Sequence, residues 1–416
     1  MPELKLNINK DFSKPITEQP KNDQKSEEKH EDHEIKKVNQ DIDELERRDM
    51  SIEQLLVFAT EHNCSDLYIK VGEHPYVSRY GKIIRLPCRE LDEDGWHKFY
   101  DTKILNEFKS YYVLDKLLDT SVGVRVPEES PNYCKYPNNE YRYRVSFGFS
   151  EDNSIATFRM IKPDQPTFET INYNPKCVEA LTKAYSIPTG ICIETGPTGS
   201  GKSTTLAACI NTYTQPNGLL DNKVIITLED PIENIFNSTP SVKIVQKELG
   251  QDFNSFELGI KASLREHPNV VIVGEMRDKT VIGAAVEAGR TGHLVSTTFH
   301  ASDVGGTISR LMYHLNNDKN LAYDLIMQIN IIISQRMMKR DDRYVVDTQY
   351  LLFTPEITKV LLDLIENPNL NIANEVNKLV KIPILQEKGL AKDWDYEDNH
   401  EKIDDEFVGL IKRSID

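Results

Sequence analysis

The chain has 416 residues, 39% of them apolar and 28% charged, with a formal net charge of -16. That length accommodates two or three domains and a substantial core, while no apolar run approaches the roughly 20 residues a membrane-spanning helix needs. Lys and Arg total 50 against 66 Asp and Glu and form no continuous basic stripe, so direct strong nucleic-acid binding is not expected.

The first residues, "MPELKLNINKDFSK", hold no apolar core of a secretory signal. The expected location is therefore the cytoplasm, with any attachment to a membrane made through partners. Six cysteines, Cys64, Cys88, Cys134, Cys177, Cys192 and Cys209, are scattered without a C-x-x-C pair. They read as small buried apolar side chains in a reducing compartment, and neither zinc nor disulfides are expected.

In chain order, residues 1–48 contain "EQPKNDQKSEEKHEDHEIKK", dense in both charges and nearly free of aromatics. Such a segment buries too little apolar surface to offset chain entropy and is expected to be a disordered tail. Residues 49–162 read as a small α+β domain. Ile52, Leu55, Leu56 and Ala59 recur at helical spacing after the N-cap candidate Ser51, and "DLYIKVG" and "VSRYGKIIRL" alternate as strands around a turn at Gly72–Pro75. A helical stretch, "HKFYDTKILNEFKSYYVLDKLLD", leads to three further strands, "SVGVRV", "EYRYRVSFGF" and "SIATFRMI". Residues 163–176, with Pro163, Pro166 and Pro175, read as a linker.

From Cys177 to residue 340 strands alternate with helices. The strands are "TGICIETG", "KVIITLED", "NVVIVGE" and "GHLVSTT"; the helices are "STTLAACINTYT", "ELGIKASLREHP" and "DKTVIGAAVEAGR". That pattern predicts a mostly parallel sheet covered on both faces, an α/β core. Beyond "INIIISQRMMKR", residues 341–416 are expected to be a helical region with an acidic end.

The stretch Gly196-Pro197-Thr198-Gly199-Ser200-Gly201-Lys202-Ser203-Thr204 satisfies G-x-x-x-x-G-K-[ST] directly after a strand and at the opening of a helix. Its backbone N–H groups and the helix dipole suit a triphosphate, Lys202 the β- and γ-phosphates, and Ser203 a Mg²⁺ ion. Hydrolysis also needs a carboxylate at the metal and a group to orient water. Glu275 ends the apolar strand "NVVIVGE", and Glu229 with Asp230 ends "KVIITLED", with Pro231 closing that strand. Both are expected at the carboxyl edge of the sheet, beside the loop. His293 and His300 flank the strand in "TGHLVSTTFHAS", where a neutral imidazole can meet a phosphate or a water. Arg142 and Arg144 share one face of their strand and, with Arg159, serve either a developing phosphate charge or surface carboxylates.

Taken in order, "GPTGSGKST", "TLEDPIE", "VVIVGEMRD" and "TGHLVSTTFH" resemble the Walker A, Asp box, Walker B and His box of the bacterial secretion and pilus motor ATPases, over most of residues 50–340. The resemblance implies a RecA-like P-loop core behind a PAS-like N-terminal domain, ATP and Mg²⁺ as cofactors, and a homohexameric ring whose hydrolysis turns one domain against the other. It also implies roles: Glu229 as general base, Glu275 as support for Mg²⁺, His293 and His300 as nucleotide sensors, and arginines from the N-terminal domain as charge partners.

Some residues depart from the pilus motors. Arg290 stands where they carry glutamate or glutamine, the four-cysteine zinc insert of extension motors is missing, and so is the A-I-R-N-L-I-R-E stretch of retraction motors. The segment "SDLYIKVGEHPYVSRYGKI" is similar to the opening of Dot/Icm-type and plasmid-transfer ATPases. The expected function is thus an ATPase powering a type IV secretion or conjugal DNA-transfer apparatus from its cytoplasmic face. A pilus-retraction or type II secretion motor is the alternative, and a DNA-translocating pump a more distant one.

Overall fold

The computed structural model describes residues 42, 45–79, 82–104, 116–133, 139–161, 165–316, 318–340, 343–367 and 370–395. The expected disordered tail, apart from a few residues, Cys134, part of the linker and the acidic C-terminal end lie outside them. The chain divides into two compact units, one ending at Phe99 and one beginning at Tyr100. That boundary falls within the segment expected to form the N-terminal domain.

In the first unit, Ser51 caps α1 (Ile52–Glu61) through a capping box with Gln54, and the helix buries Ile52, Leu55, Leu56 and Ala59 as its spacing predicts. Strands β1 (Asp66–Lys70), β2 (Tyr76–Arg79) and β3 (Lys82–Arg85) follow as an antiparallel meander. Gly72, at φ 82, supplies the left-handed turn after β1. The helix α2 (Glu93–Lys103) runs across the unit boundary.

The second unit opens with another antiparallel meander, β4 (Leu118–Arg125), β5 (Glu140–Ser150) and β6 (Asn153–Ile161). Tyr141, Tyr143, Val145 and Phe147 are buried on β5, and the intervening Arg142 and Arg144 take its other face. A two-residue alternation of aromatic and basic side chains thus builds a core face and a cationic face from one strand.

The remaining elements form the α/β core. In order they are α3 (Pro175–Tyr185), β7 (Gly190–Thr195), α4 (Lys202–Tyr213), β8 (Val224–Glu229), β9 (Lys243–Glu248), α5 (Phe256–Ser263), β10 (Val270–Glu275), α6 (Lys279–Arg290) and β11 (Leu294–Phe299). They continue with α7 (Val304–His314), α8 (Lys319–Gln328), β12 (Ile329–Arg340), β13 (Arg343–Leu352), α9 (Pro355–Glu366), α10 (Ile372–Val380), α11 (Pro383–Glu387) and β14 (Ala391–Lys392). The sheet order is β14-β13-β12-β7-β11-β10-β8-β9. From β12 to β9 all neighbours are parallel, and β13 and β14 add an antiparallel border.

Alternate strand residues feed two cores. Ile191, Ile193, Ile226, Leu228, Val271 and Val273 pack with α5 to α10, whereas Cys192, Ile225, Val270 and Ile272 pack with α3 and α4. The near-continuous apolar strands follow from burial on both faces.

The sequence reading differs from this core in two places. It contained no β9, because Lys243, Lys247 and Glu248 break the apolar run of a strand that borders the sheet. It also turned helical after residue 340, whereas β13 and β14 extend the sheet there. Asp347, Thr348 and Gln349 are buried polar residues within β13, satisfied by Arg336, Cys177 and Asp393, so the strand has no apolar alternation to read.

Candidate active site

The loop between β7 and α4 depends on two glycines. Gly196 has φ 151, and a Cβ there would meet the Gln335 carbonyl oxygen at 2.2 Å and Ser200 Oγ at 2.6 Å. Gly201, at φ 89, is the left-handed residue from which α4 starts, and no side chain caps that helix. The donors of the first turn are therefore available to an anion, with the helix dipole in their favour. Gln335 of β12 forms the loop's wall: its Nε2 donates to the Ser200 carbonyl at 2.7 Å, and Tyr173 OH donates to its Oε1 at 3.2 Å. The hydroxyls of Thr195 and Ser200 are buried and have no hydrogen-bond partner among the described residues.

Lys202 donates its Nζ to the carbonyls of Gly196 and Pro197, at 2.9 and 3.0 Å. Burial lowers its pKa below the usual lysine value, opposed by Glu275 and Glu233. Ser203 and Thr204 are exposed at the start of α4.

Loop and strand ends enclose a cavity of about 560 Å³, a size that suits a nucleotide-sized ligand. Lys202, Ser203 and Thr204 line one side; Glu229, Asp230, Glu233, Glu275, Arg277, His300 and Arg144 line the others. Parallel pairing of β8 with β10 brings Glu229 and Glu275 to the same edge. The register of β10 on β11 shifts between Val273 and Glu275, and such an irregularity re-aims the side chain that follows it.

Glu229 is held from three directions. Thr227 Oγ1 and Gln246 Nε2 donate to its Oε1 at 2.6 and 3.0 Å, and the Glu233 N–H reaches Oε2 at 3.4 Å. Burial nevertheless dominates and pushes its pKa up to about 7, with those hydrogen bonds pulling the other way. Its charge can therefore change near neutral pH. Glu275 accepts from Arg277 Nε at 2.8 Å and lies 3.5 Å from His300 Nε2. Arg277 also bonds Asp230 at 3.2 Å, so one guanidinium joins the two acidic strand ends. His300 has its pKa lowered, first by burial and then by Lys202, against Glu275, which favours the neutral ring.

Among the expected residues, Arg144 reaches the cavity and stands 3.7 Å from Glu233. Arg142 instead donates to Ser121 Oγ at 2.6 Å, and Arg159 is the exposed cross-strand neighbour of Arg144. The two histidines lie at opposite ends of β11. His300 follows its last residue into the cavity, whereas His293 precedes its first, its backbone carbonyl bonded to Gly190 N at 3.1 Å and its ring 3.2 Å from the Ala288 carbonyl. About 20 Å of strand separates them, at roughly 3.3 Å per residue. The reading from sequence assigned no role to Arg277 or Glu233, though both stand inside the motifs it singled out.

Glu194, two residues before the loop, is fully buried. Among the described residues its side chain accepts two long hydrogen bonds, from Tyr185 OH at 3.4 Å and Ser296 Oγ at 3.3 Å. Burial pushes its pKa from 4.5 up to about 8. The folded chain thus keeps a proton that the unfolded chain releases. The resulting cost is absent at acid pH, grows as pH rises from 4.5 toward 8, and is constant above that. It amounts to a few kcal/mol, comparable to what burial of one or two aliphatic side chains contributes (roughly 1.5–3 kcal/mol each). Glu194→Gln is expected to be more stable than the wild type in urea unfolding. The gap between the two should widen from about pH 5 to 8 and then level off; a gap independent of pH would contradict a neutral buried acid.

A glycine-rich loop, its lysine and two strand-end carboxylates around one cavity define a P-loop nucleotide hydrolase. Residues 44–357 match the family described as Type II/IV secretion system protein, and the chain belongs to that family. It is similar to the Type IV pilus retractation ATPase PilT of Pseudomonas aeruginosa, 31% identical over 70% of this chain and 79% of that one. A twitching motility protein of Neisseria gonorrhoeae is 35% identical over 64% of this chain and 66% of its own length. Among solved structures, the Legionella pneumophila ATPase DotB superposes with a TM-score of 0.68 at 27% identity, covering 89% of this chain and 98% of that one. The pilus retraction motor PilT with bound ADP gives 0.66 at 28% identity, covering 80% and 90%. The α/β fold with N-terminal antiparallel strands stands as expected, and the chain is an ATP-hydrolysing secretion or pilus motor.

Proposed function

We propose that this ATPase forms a homohexameric ring on the cytoplasmic face of a type IV secretion or conjugal-transfer apparatus and drives it by ATP hydrolysis. The observation that carries the catalytic part is the meeting of Lys202, Glu229, Glu275 and Arg144 around one cavity. Lys202 and the loop N–H groups hold the phosphates. Glu229, poised near neutral pH, takes a proton from the attacking water, and Thr227 and Gln246 keep its carboxylate oriented. Arg144 and His300 face the charge that develops on the departing phosphate.

The oxygen donors Ser203 and Glu275 fit a hard cation, and the Thr195 and Ser200 hydroxyls, without a partner among the described residues, add polar character to the loop. Ser203 and Glu275 would hold Mg²⁺, which neutralises phosphate charge. A role at the nucleotide for the exposed Arg159 is assigned to a neighbouring copy of the ring, whereas Arg142 and His293 are engaged within the chain by Ser121 and the Ala288 carbonyl. The domain scheme is a tail over 1–48, an N-terminal domain over 49–162, a linker over 163–176, a core over 177–340 and a C-terminal region over 341–416. Closure at the linker converts hydrolysis into domain movement.

Coverage of nearly all of DotB favours the secretion reading. The 31% identity to PilT supports a pilus-retraction motor as the second reading. Purified full-length chain should release phosphate from ATP only with Mg²⁺ and should sediment as a hexamer with nucleotide. Deleting the gene in its host should abolish substrate transfer and leave twitching intact; the reverse phenotype selects the second reading, and failure to hydrolyse ATP removes both.

A further inference from the structure

Glu248, the last residue of β9, is 2% exposed and is surrounded by donors. Its Oε1 accepts from Thr120 Oγ1 at 3.0 Å, Ser121 N at 2.9 Å and Gln251 Nε2 at 2.6 Å. Its Oε2 accepts from Ser121 Oγ at 2.6 Å and Ile232 N at 3.3 Å. One carboxylate therefore ties β4, in the antiparallel meander, to the segment that leaves β8 after the expected base.

The register gives this knot a direction. Ser121 lies opposite Arg144 in the β4–β5 pairing, and Glu248 lies opposite Glu229 in the β8–β9 pairing. Ile232 immediately precedes Glu233, the carboxylate 3.7 Å from Arg144. Both members of the Arg144–Glu233 pair are thus one step from a donor to Glu248. Ser121 Oγ also accepts from Arg142, so both arginines of β5 are referred to the same point. A buried carboxylate whose donors come from three segments fixes those segments against one another, because leaving any of the donors unpaired in the interior is costly.

We propose that Glu248 is a positioning residue for hydrolysis, holding the arginine-bearing strands against the core so that Arg144 presents its guanidinium at the rim of the phosphate cavity. This rests on the catalytic reading above and adds a residue that lies outside the lining of the phosphate cavity. It acts on the transition state through Arg144, so it affects turnover and leaves ground-state binding alone.

The test uses the full-length protein and four forms: wild type, Glu248→Gln, Arg144→Ala and the double variant. Glu248→Gln should lower kcat about 10- to 100-fold with KM for ATP within about 2-fold. In the Arg144→Ala background the same change should cost less than about 2-fold more, since the two act as a unit. Hydrogen exchange supplies a readout independent of turnover: residues 118–125 should lose protection in Glu248→Gln while β7, β10 and β11 keep theirs. Wild-type kcat in Glu248→Gln, a loss that multiplies fully with Arg144→Ala, or exchange that rises throughout the core would each overturn the proposal. If Glu248→Gln does not fold, Ser121→Ala removes two of the partners' contacts and should show the same coupling at roughly 3- to 10-fold in kcat. A wild type that does not hydrolyse ATP would count against the catalytic reading, and the exchange comparison would still decide whether Glu248 holds β4.

Discussion

Glu229→Gln is expected to bind ATP within about twofold of the wild type and to hydrolyse it roughly 10²- to 10⁴-fold more slowly, the range a positioned general base contributes. The amide keeps the volume and can still accept from Thr227 and Gln246, so the strand end stays in place; what it loses is the capacity to take a proton. The pH profile gives a sharper check. A base works when deprotonated, so wild-type kcat/KM should rise with pH up to the folded-state pKa of about 7 and flatten above it. That limb should vanish from the residual activity of the variant. Linkage adds a second sign: since burial raises the Glu229 pKa from 4.5 to about 7, the variant's stability relative to the wild type should grow across that interval and level off above it. Full activity in Glu229→Gln would end its assignment as base.

Lys202→Ala should fail one step earlier. Its ammonium donates to two loop carbonyls, and those bonds are the ones a phosphate would replace. Charge-assisted hydrogen bonds contribute about 1.5–3 kcal/mol each, and every 1.4 kcal/mol is tenfold in affinity. Losing one or two of them should weaken ATP binding by about 100-fold or more, as read by titration calorimetry. Thermal unfolding without nucleotide should change little, because the loop's shape rests on Gly196, Gly201 and Gln335. The two variants therefore separate binding from chemistry, and a Lys202→Ala protein that binds normally would remove the lysine from the phosphate site.

Much of this site was legible in the sequence because its parts are local. The phosphate loop, Glu275 and Glu229 each sit at the end of a run whose strand character is readable within a few residues, and parallel strands bring their ends to one edge. Relations across the sheet were not legible. Arg277 lies two residues past Glu275, yet only the fold shows its guanidinium joining Glu275 to Asp230, 47 residues away in sequence. Among three candidate arginines, only tertiary packing decides that Arg144 reaches the cavity while Arg142 turns to Ser121. Strands β9 and β13 escaped detection because each carries polar side chains inward, where Glu248 and Asp347 find partners that no periodicity announces. Glu194 conflicts with its setting in the same way: a strand position that otherwise calls for an aliphatic residue holds an acid.

The wall formed by Gln335 bears on how this molecule comes into being. The phosphate motif is finished by residue 204, but the amide that shapes it lies 135 positions beyond Ser200, on a strand that must first pair with β7. A nascent chain that has emerged only as far as α8 would already possess every letter of the nucleotide signature and lack the surface against which it takes form. Competence to hold a triphosphate is in that sense a property of the completed sheet and not of the motif alone.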